Sequence, residues 1–170
     1  YSCRRSFFPT ETSGIGSGSA INSATWRGYV TTRVYNNPDA SDFLVLVGPT
    51  SQASPTTLVG ADHITCGSVD TPTEVSARDT INNVPAVGNY YAQAITDLSV
   101  ISKTGYTLLG LREGHDVDNV TPDAENQIRF STSEQSGTSR DPYLEVDYSV
   151  AAKGRFPNVS RPQFFRRKVM

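Results

Sequence analysis

The segment Asp141-Pro-Tyr-Leu-Glu-Val-Asp-Tyr148 constrains this chain more than any other. Leu144, Val146 and Tyr148 fall on one side of an extended backbone, and Tyr143, Glu145 and Asp147 fall on the other. A period of two suits a strand with one dry face and one wet face. Ile128 and Phe130 alternate with Arg129 and Ser131 in the same way. In Gly105-Tyr-Thr-Leu-Leu-Gly-Leu-Arg-Glu-Gly114, Leu109 and Leu111 share one face while Tyr106, Leu108 and Gly110 share the other, so both faces of that strand can be covered. The stretch from Gly105 to Tyr148 therefore reads as consecutive strands of an antiparallel sheet.

The rest of the chain supports an all-β reading. Ala20 to Tyr35 is a long strand-forming run in which Ala24, Trp26, Gly28 and Val30 share one parity. That parity makes Trp26 a core candidate with Gly28 leaving room beside it; the alternative role for Trp26 is a sugar-stacking platform. Residues 5–10, Phe43 to Val47, Glu74 to Ile81 and Tyr90 to Ile95 read as further strands. Asn36-Asn-Pro-Asp39, Gly48-Pro49 and Val69-Asp-Thr-Pro72 are turn clusters. Leu58 and Val59 are the expected core anchors of the loop 49–63. Asp97 is placed to cap one short helix over Leu98 to Lys103, with Gly105 to end it. With 36% hydrophobic and 19% charged residues and 13 Gly, the 170-residue chain suits a single antiparallel β-sandwich.

After Tyr148 the alternation stops. The expected division is a β-sandwich domain over 1–150 and an extended basic tail over 151–170. Six of the 15 Lys and Arg lie in that tail without a single Asp or Glu, leaving nine against all 17 acids in the body. An acidic body disfavours nucleic acid. The cationic tail, carrying Phe164, Phe165, Arg166, Arg167 and Lys168, is the expected docking element for another copy or another structural protein. No apolar run approaches the roughly 20 residues that cross a bilayer. Tyr1-Ser-Cys-Arg-Arg has neither an initiator Met nor an apolar core, so the chain reads as a processed product or a fragment.

Chemistry leaves a fainter trace. Cys3 and Cys66 lack metal-site spacing and read either as a disulfide or as two separate buried thiols. Closing that loop of about 60 residues would contribute on the order of 4 kcal/mol in the chain-entropy model. The glycines of Thr12-Ser-Gly-Ile-Gly-Ser-Gly-Ser19 fit no phosphate-binding fingerprint. No Gly-x-Ser-x-Gly is present, and three-residue spacing in a strand turns His63 away from Cys66. No catalytic set and no cofactor site is expected, and the chain reads as a non-enzyme. Glu113-Gly-His-Asp-Val-Asp-Asn119 is the densest polar cluster: Asp116, Asp118 and Asn119 read either as hard oxygen ligands for Ca²⁺ or as a solvated loop with Asx turns. No metal set is assigned from the sequence.

Several segments, in order, carry a resemblance. They include Phe7-Phe-Pro-Thr-Glu-Thr-Ser-Gly-Ile-Gly16, Cys66-Gly-Ser-Val-Asp-Thr-Pro72, Ile101-Ser-Lys-Thr-Gly-Tyr106, Leu109-Gly-Leu-Arg112, Asp116-Val-Asp-Asn119 and Ser133 to Tyr148. Together they resemble secreted β-sandwich domains of the carbohydrate-binding-module-like DNRLRE type and related domains of phage or environmental virion and surface proteins. The resemblance covers most of 5–149. It implies a jelly-roll β-sandwich, an extracellular setting (secreted, cell surface or virion), a binding or structural role, and no catalytic residues. This chain begins part-way into the pattern, which implies a first strand missing or supplied by another molecule, and the tail lies outside the pattern. Two functions follow as expectations. The first is a non-catalytic module building or decorating an assembly, such as a virion or surface filament, through sheet edges and the C-terminal arm. The second is a carbohydrate-binding module whose glycan platforms are Trp26 or Tyr29, Tyr90, Tyr91, Tyr106 and Tyr143.

Overall fold

A computed structural model describes residues 4–36, 39–68, 70–133 and 136–150, with the backbone alone for 162–168. The strands are β1 (Ser6–Glu11), β2 (Ser19–Tyr35), β3 (Phe43–Val47), β4 (Asp79–Thr80), β5 (Tyr90–Ile95), β6 (Tyr106–Glu113), β7 (Asn126–Phe130), β8 (Tyr143–Val150) and β9 (Pro162–Lys168), with one short helix, α1 (Gly114–Asp118). They form two antiparallel sheets, one ordered β1-β6-β3-β4 and the other β5-β2-β8-β9, with β7 also paired to β2. Successive strands cross from sheet to sheet (β1 to β2 to β3, then β5 to β6 to β7), as the expected jelly-roll sandwich requires.

The parities read from the sequence set the faces. Trp26, Gly28 and Val30 of β2, Tyr91, Gln93 and Ile95 of β5, and Leu144, Val146 and Tyr148 of β8 are buried and meet Phe8, Leu44, Leu46, Leu109 and Leu111 of the opposite sheet. Trp26 is fully buried, packing on Phe8 at a ring-centroid distance of 4.6 Å and edge-on to Phe130 at 5.3 Å. Gly28 is required there, because a Cβ at that position would lie 2.5 Å from the Trp26 ring and 2.8 Å from Phe130. The 17-residue β2 shifts register between Ile21 and Ser23 and again between Val30 and Thr32. Such irregularities bend and twist a strand; β2 pairs with β8 as far as Arg27 and with β7 from Val30 onward.

The first sheet is covered on both sides. Every residue of β3 is buried: Leu44 and Leu46 face the sandwich interior, while Phe43, Val45 and Val47 form a second apolar cluster with Cys66 and Val117. The lid over this second cluster is the loop 48–68 together with α1. Gly110 of β6 lies under it, where a Cβ would fall 2.3 Å from Cys66 Sγ.

Three expectations are corrected. The helix over Leu98 to Lys103 is only a 3-10 turn, Leu98–Val100, although Asp97 does cap it by accepting a hydrogen bond from the Ser99 amide at 3.0 Å. Ser99, Val100 and Ile101 are weak helix formers, and Ile101 leaves the turn in extended conformation to enter the core. The α-helical turn lies instead at Gly114–Asp118, where the Glu113 carboxylate accepts from the His115 amide and Asn119 closes the turn at φ 53°. Leu58 and Val59 do not anchor their loop. They are 53% and 58% exposed, and the loop is held by buried Thr50, Gln52, Asp62 and Cys66. Lastly, the tail is not wholly an unpacked arm, since 162–168 add a strand to the edge of β8, in register from Ser149↔Pro162 to Tyr143↔Lys168. The side chains of Phe164, Phe165, Arg166, Arg167 and Lys168 lie outside the described residues, as do Cys3 and residues 151–161. No described helix is long and apolar enough to cross a membrane.

Candidate functional site

Three polar or aromatic constellations sit on this frame. The first joins the lid to the first sheet. Arg112, the penultimate residue of β6, has no exposed side-chain surface, and α1 sets Asp116 one helical turn later. Arg112 donates from Nε to Asp116 Oδ2 at 2.6 Å, and from its terminal nitrogens to the carbonyls of Asp116 and Ser68. Arg5, reaching in from before β1, donates twice to the same carboxylate at 2.9 and 2.8 Å and once to the His63 carbonyl. Burial works to raise the pKa of Asp116, but hydrogen bonds and charge from the two guanidiniums prevail and hold it below the usual carboxylate range.

This arrangement consumes the proposed calcium ligands. Asp116 is taken by Arg5 and Arg112, Asp118 pairs with Arg78 at 3.0 Å, and Asn119 is the helix-closing residue. Cys66 is a free buried thiol, 3.8 Å from the Ser6 carbonyl oxygen to which it donates. Burial pushes its pKa up to about 11, the reverse of what a nucleophilic thiolate needs. His63 is exposed and shares no hydrogen bond with it among the described residues.

The second constellation was not assembled by sequence reasoning. His115, 3% exposed, projects from the start of α1 between three carboxylates. Its Nδ1 lies 2.6 Å from Glu113 Oε1 and 3.8 Å from Asp42 Oδ1, and its Nε2 lies 3.1 Å from Asp39 Oδ2. Burial opposes the imidazolium, yet the hydrogen bond and charge of Glu113, reinforced by Asp39, outweigh it and raise the His115 pKa. Asp42 is itself 2% exposed and is aligned by donors: Asn126 Nδ2 at 2.6 Å and the Asp39 amide at 2.7 Å. Beside this group a cleft of about 720 Å³ opens between the end of β6 and the segment 122–130. Leu44, Ile81, Leu111 and Phe130 contribute apolar wall, and Glu113 and His115 contribute polar wall. The sequence signal was present in Asp39-x-x-Asp42 directly before a fully apolar strand, but it reads as a turn until the fold brings residue 115 to it.

The third lies on the outer face of the second sheet. Tyr29, Tyr90 and Tyr143 are half-buried and meet edge to face, with ring centroids 5.3 Å apart for Tyr29–Tyr90 and 5.4 Å for Tyr90–Tyr143. The Arg140 guanidinium stands 5.2 Å from the Tyr29 ring centre, and Tyr90 donates its hydroxyl to the Ser139 and Asp141 carbonyls. Of the other expected platforms, Trp26 and Tyr91 are core residues, and Tyr106 belongs to the other sheet. Trp26, sealed from solvent, cannot stack on a sugar. The edge next to this face is β8, onto which β9 adds. No protein-family model, curated protein or solved structure matches the chain.

Proposed function

We propose that the chain is a non-catalytic structural module that joins copies of itself, or a neighbouring structural protein, by strand addition at the β8 edge, with 162–168 as the added strand. The observation that supports this reading is the β8–β9 register. It sets Arg166 opposite Glu145 and Phe164 opposite Asp147, so a cationic strand lies along an acidic one. Within one chain a β-hairpin needs only about two to five connecting residues. The connector 151–161 is far longer and at full extension can reach roughly 35 Å, so the same strand can serve a second subunit's β8 as well as its own. Exchange of an identical element between protomers makes a closed or a propagating assembly at little cost in new contacts. An extracellular setting, on a virion or surface filament, belongs to the same proposal and is supported by the ordered resemblance to secreted sandwich domains.

Size-exclusion chromatography with light scattering tests it, comparing the intact chain with Phe164→Pro/Phe165→Pro. Alternate residues of an edge strand point their amides at the neighbour, so one of two consecutive prolines removes a ladder donor whichever way β9 faces. The intact chain should form ordered multimers, and the variant should run as a folded monomer with an unchanged circular-dichroism spectrum. A monomeric intact chain, or an assembly indifferent to the prolines, would refute the proposal. Glycan binding is a second reading, supported by the Tyr29–Tyr90–Tyr143 group with Arg140 beside it. A glycan array separates the two, since binding lost in Tyr90→Ala and Tyr143→Ala while the chain stays monomeric would favour the sugar.

A further inference from the structure

The His115 group contains a contact that calls for a cation. Glu113 Oε1, an acceptor 2.6 Å from Nδ1, places a proton on that ring nitrogen. The lone pair of Nε2 then faces Asp39 Oδ2 across 3.1 Å, acceptor against acceptor. Either a second proton or a metal ion has to lie between them. We propose that Asp39, Asp42 and His115 form a binding site for one divalent transition cation of zinc type, with Glu113 as the carboxylate that orients the histidine.

Three features favour a metal over a proton alone. First, the coordinating atoms already gather: one atom each of Asp39, Asp42 and His115 lies within 4.8 Å of the others. Zinc–ligand lengths of about 2.0–2.2 Å place neighbouring ligand atoms roughly 3.5 Å apart, so the His115 Nε2–Asp39 pair, at 3.1 Å, is in place and the widest separation in the group has at most about 1.3 Å to close. Second, the carboxylates are held from outside as metal ligands commonly are. Ser41 donates its amide to Asp39 Oδ1 at 2.6 Å, leaving Oδ2 for the site, and Asn126 with the Asp39 amide aligns Asp42. Third, charge: Asp39, Asp42 and Glu113 bring three negative charges, and among the described residues no Arg or Lys pairs with any of them. A proton on His115 offsets one of the three and a divalent ion offsets two. An imidazole among the ligands selects zinc, copper, nickel or iron over Ca²⁺ and Mg²⁺, which prefer oxygen alone. Three protein ligands leave a fourth position, and the cleft beside His115 gives solvent or a small ligand a route to it. This site is independent of the assembly reading and survives its failure.

The test uses the intact chain, stripped with chelator and titrated with Zn²⁺ by calorimetry, with metal content measured after dialysis. One Zn²⁺ per chain is expected, undisturbed by millimolar Ca²⁺ or Mg²⁺. Asp39→Asn changes an exposed residue, so it should keep its circular-dichroism spectrum while losing at least tenfold in affinity. Glu113→Gln should lose about 10–100-fold through misorientation of the ring. His63→Asn controls for adventitious surface binding and should bind as the parent does. Substoichiometric zinc in the parent, or full affinity in a folded Asp39→Asn, would mean that His115 holds a proton only and would overturn the proposal.

Discussion

Replacing Asp116 by Asn tests whether the lid over the first sheet is held by charge. The side chains of Arg5, Arg112 and Asp116 are 3%, 0% and 9% exposed, so water does little to screen them. The carboxylate accepts three guanidinium hydrogen bonds, at 2.9, 2.8 and 2.6 Å. Asparagine keeps the shape but removes the charge, and it sets an NH₂ donor against at least one guanidinium donor. Removing one partner from a buried pair costs about 3–5 kcal/mol, because the remaining charge stays desolvated. In a chain of this size each kcal/mol moves Tm by about 2–4 °C, so a fall of roughly 6–20 °C is expected. Glu74→Gln is the internal reference. Its partner Arg78 is 45% exposed, and such a pair contributes about 0–1 kcal/mol. Urea unfolding followed by tryptophan fluorescence reads both, since Trp26 is the only tryptophan and lies in the core. Limited proteolysis supplies the local readout: the network grips the His63 and Ser68 carbonyls, so cleavage within 48–68 should accelerate. A loss for Asp116→Asn no larger than that for Glu74→Gln would refute the reasoning and leave the lid to apolar packing by Phe43, Val45, Val47 and Val117.

Two further outcomes follow from the packing. Gly28→Ala should cost about 1–3 kcal/mol by overpacking, because the new methyl overlaps the Phe130 ring and the fully buried Trp26 ring; a change under about 0.5 kcal/mol in urea unfolding would contradict this. Cys66 titrates near 9.0 when unfolded and about 11 when folded, so its contribution to stability is intact below pH 9 and is lost as pH rises from 9 to 11, by up to roughly 1.4 kcal/mol per pH unit. Cys66→Ala should flatten that alkaline slope relative to the parent, while the raised Tyr91 pKa, caused by its burial, affects both alike. Equal slopes in the two proteins would show that the thiol is not shielded as described.

What the sequence disclosed and what it withheld divide along a physical line. Alternation is local, and one strand shows its own two faces, so β3 and β5 run over the residues expected, and the parity that buried Trp26 also placed Tyr29 on the outer face, as that of Leu144 and Val146 placed Tyr143. Double coverage of β6 was legible for the same reason, since Leu109 and Leu111 opposed Leu108 and Gly110. The lid was legible only as a loop: its apolar pair Leu58 and Val59 faces solvent, while the fastening comes from Arg5, 111 residues from Asp116 in sequence. Short-range helix signals also misled. A good cap at Asp97 cannot extend a turn through Ser99, Val100 and Ile101 when Ile101 is more stable in the core. Conversely, Gly114 starts α1 despite its poor helix propensity, because a side chain there would strike the Ser41 carbonyl and the Phe43 ring. That close approach carries the argument to the candidate metal site. The backbone before β3 can bring Asp39 and Asp42 against His115 only where position 114 lacks a side chain, so Glu113-Gly-His115 and Asp39-x-x-Asp42 are one feature separated by more than seventy residues, and no window along the chain is wide enough to read it.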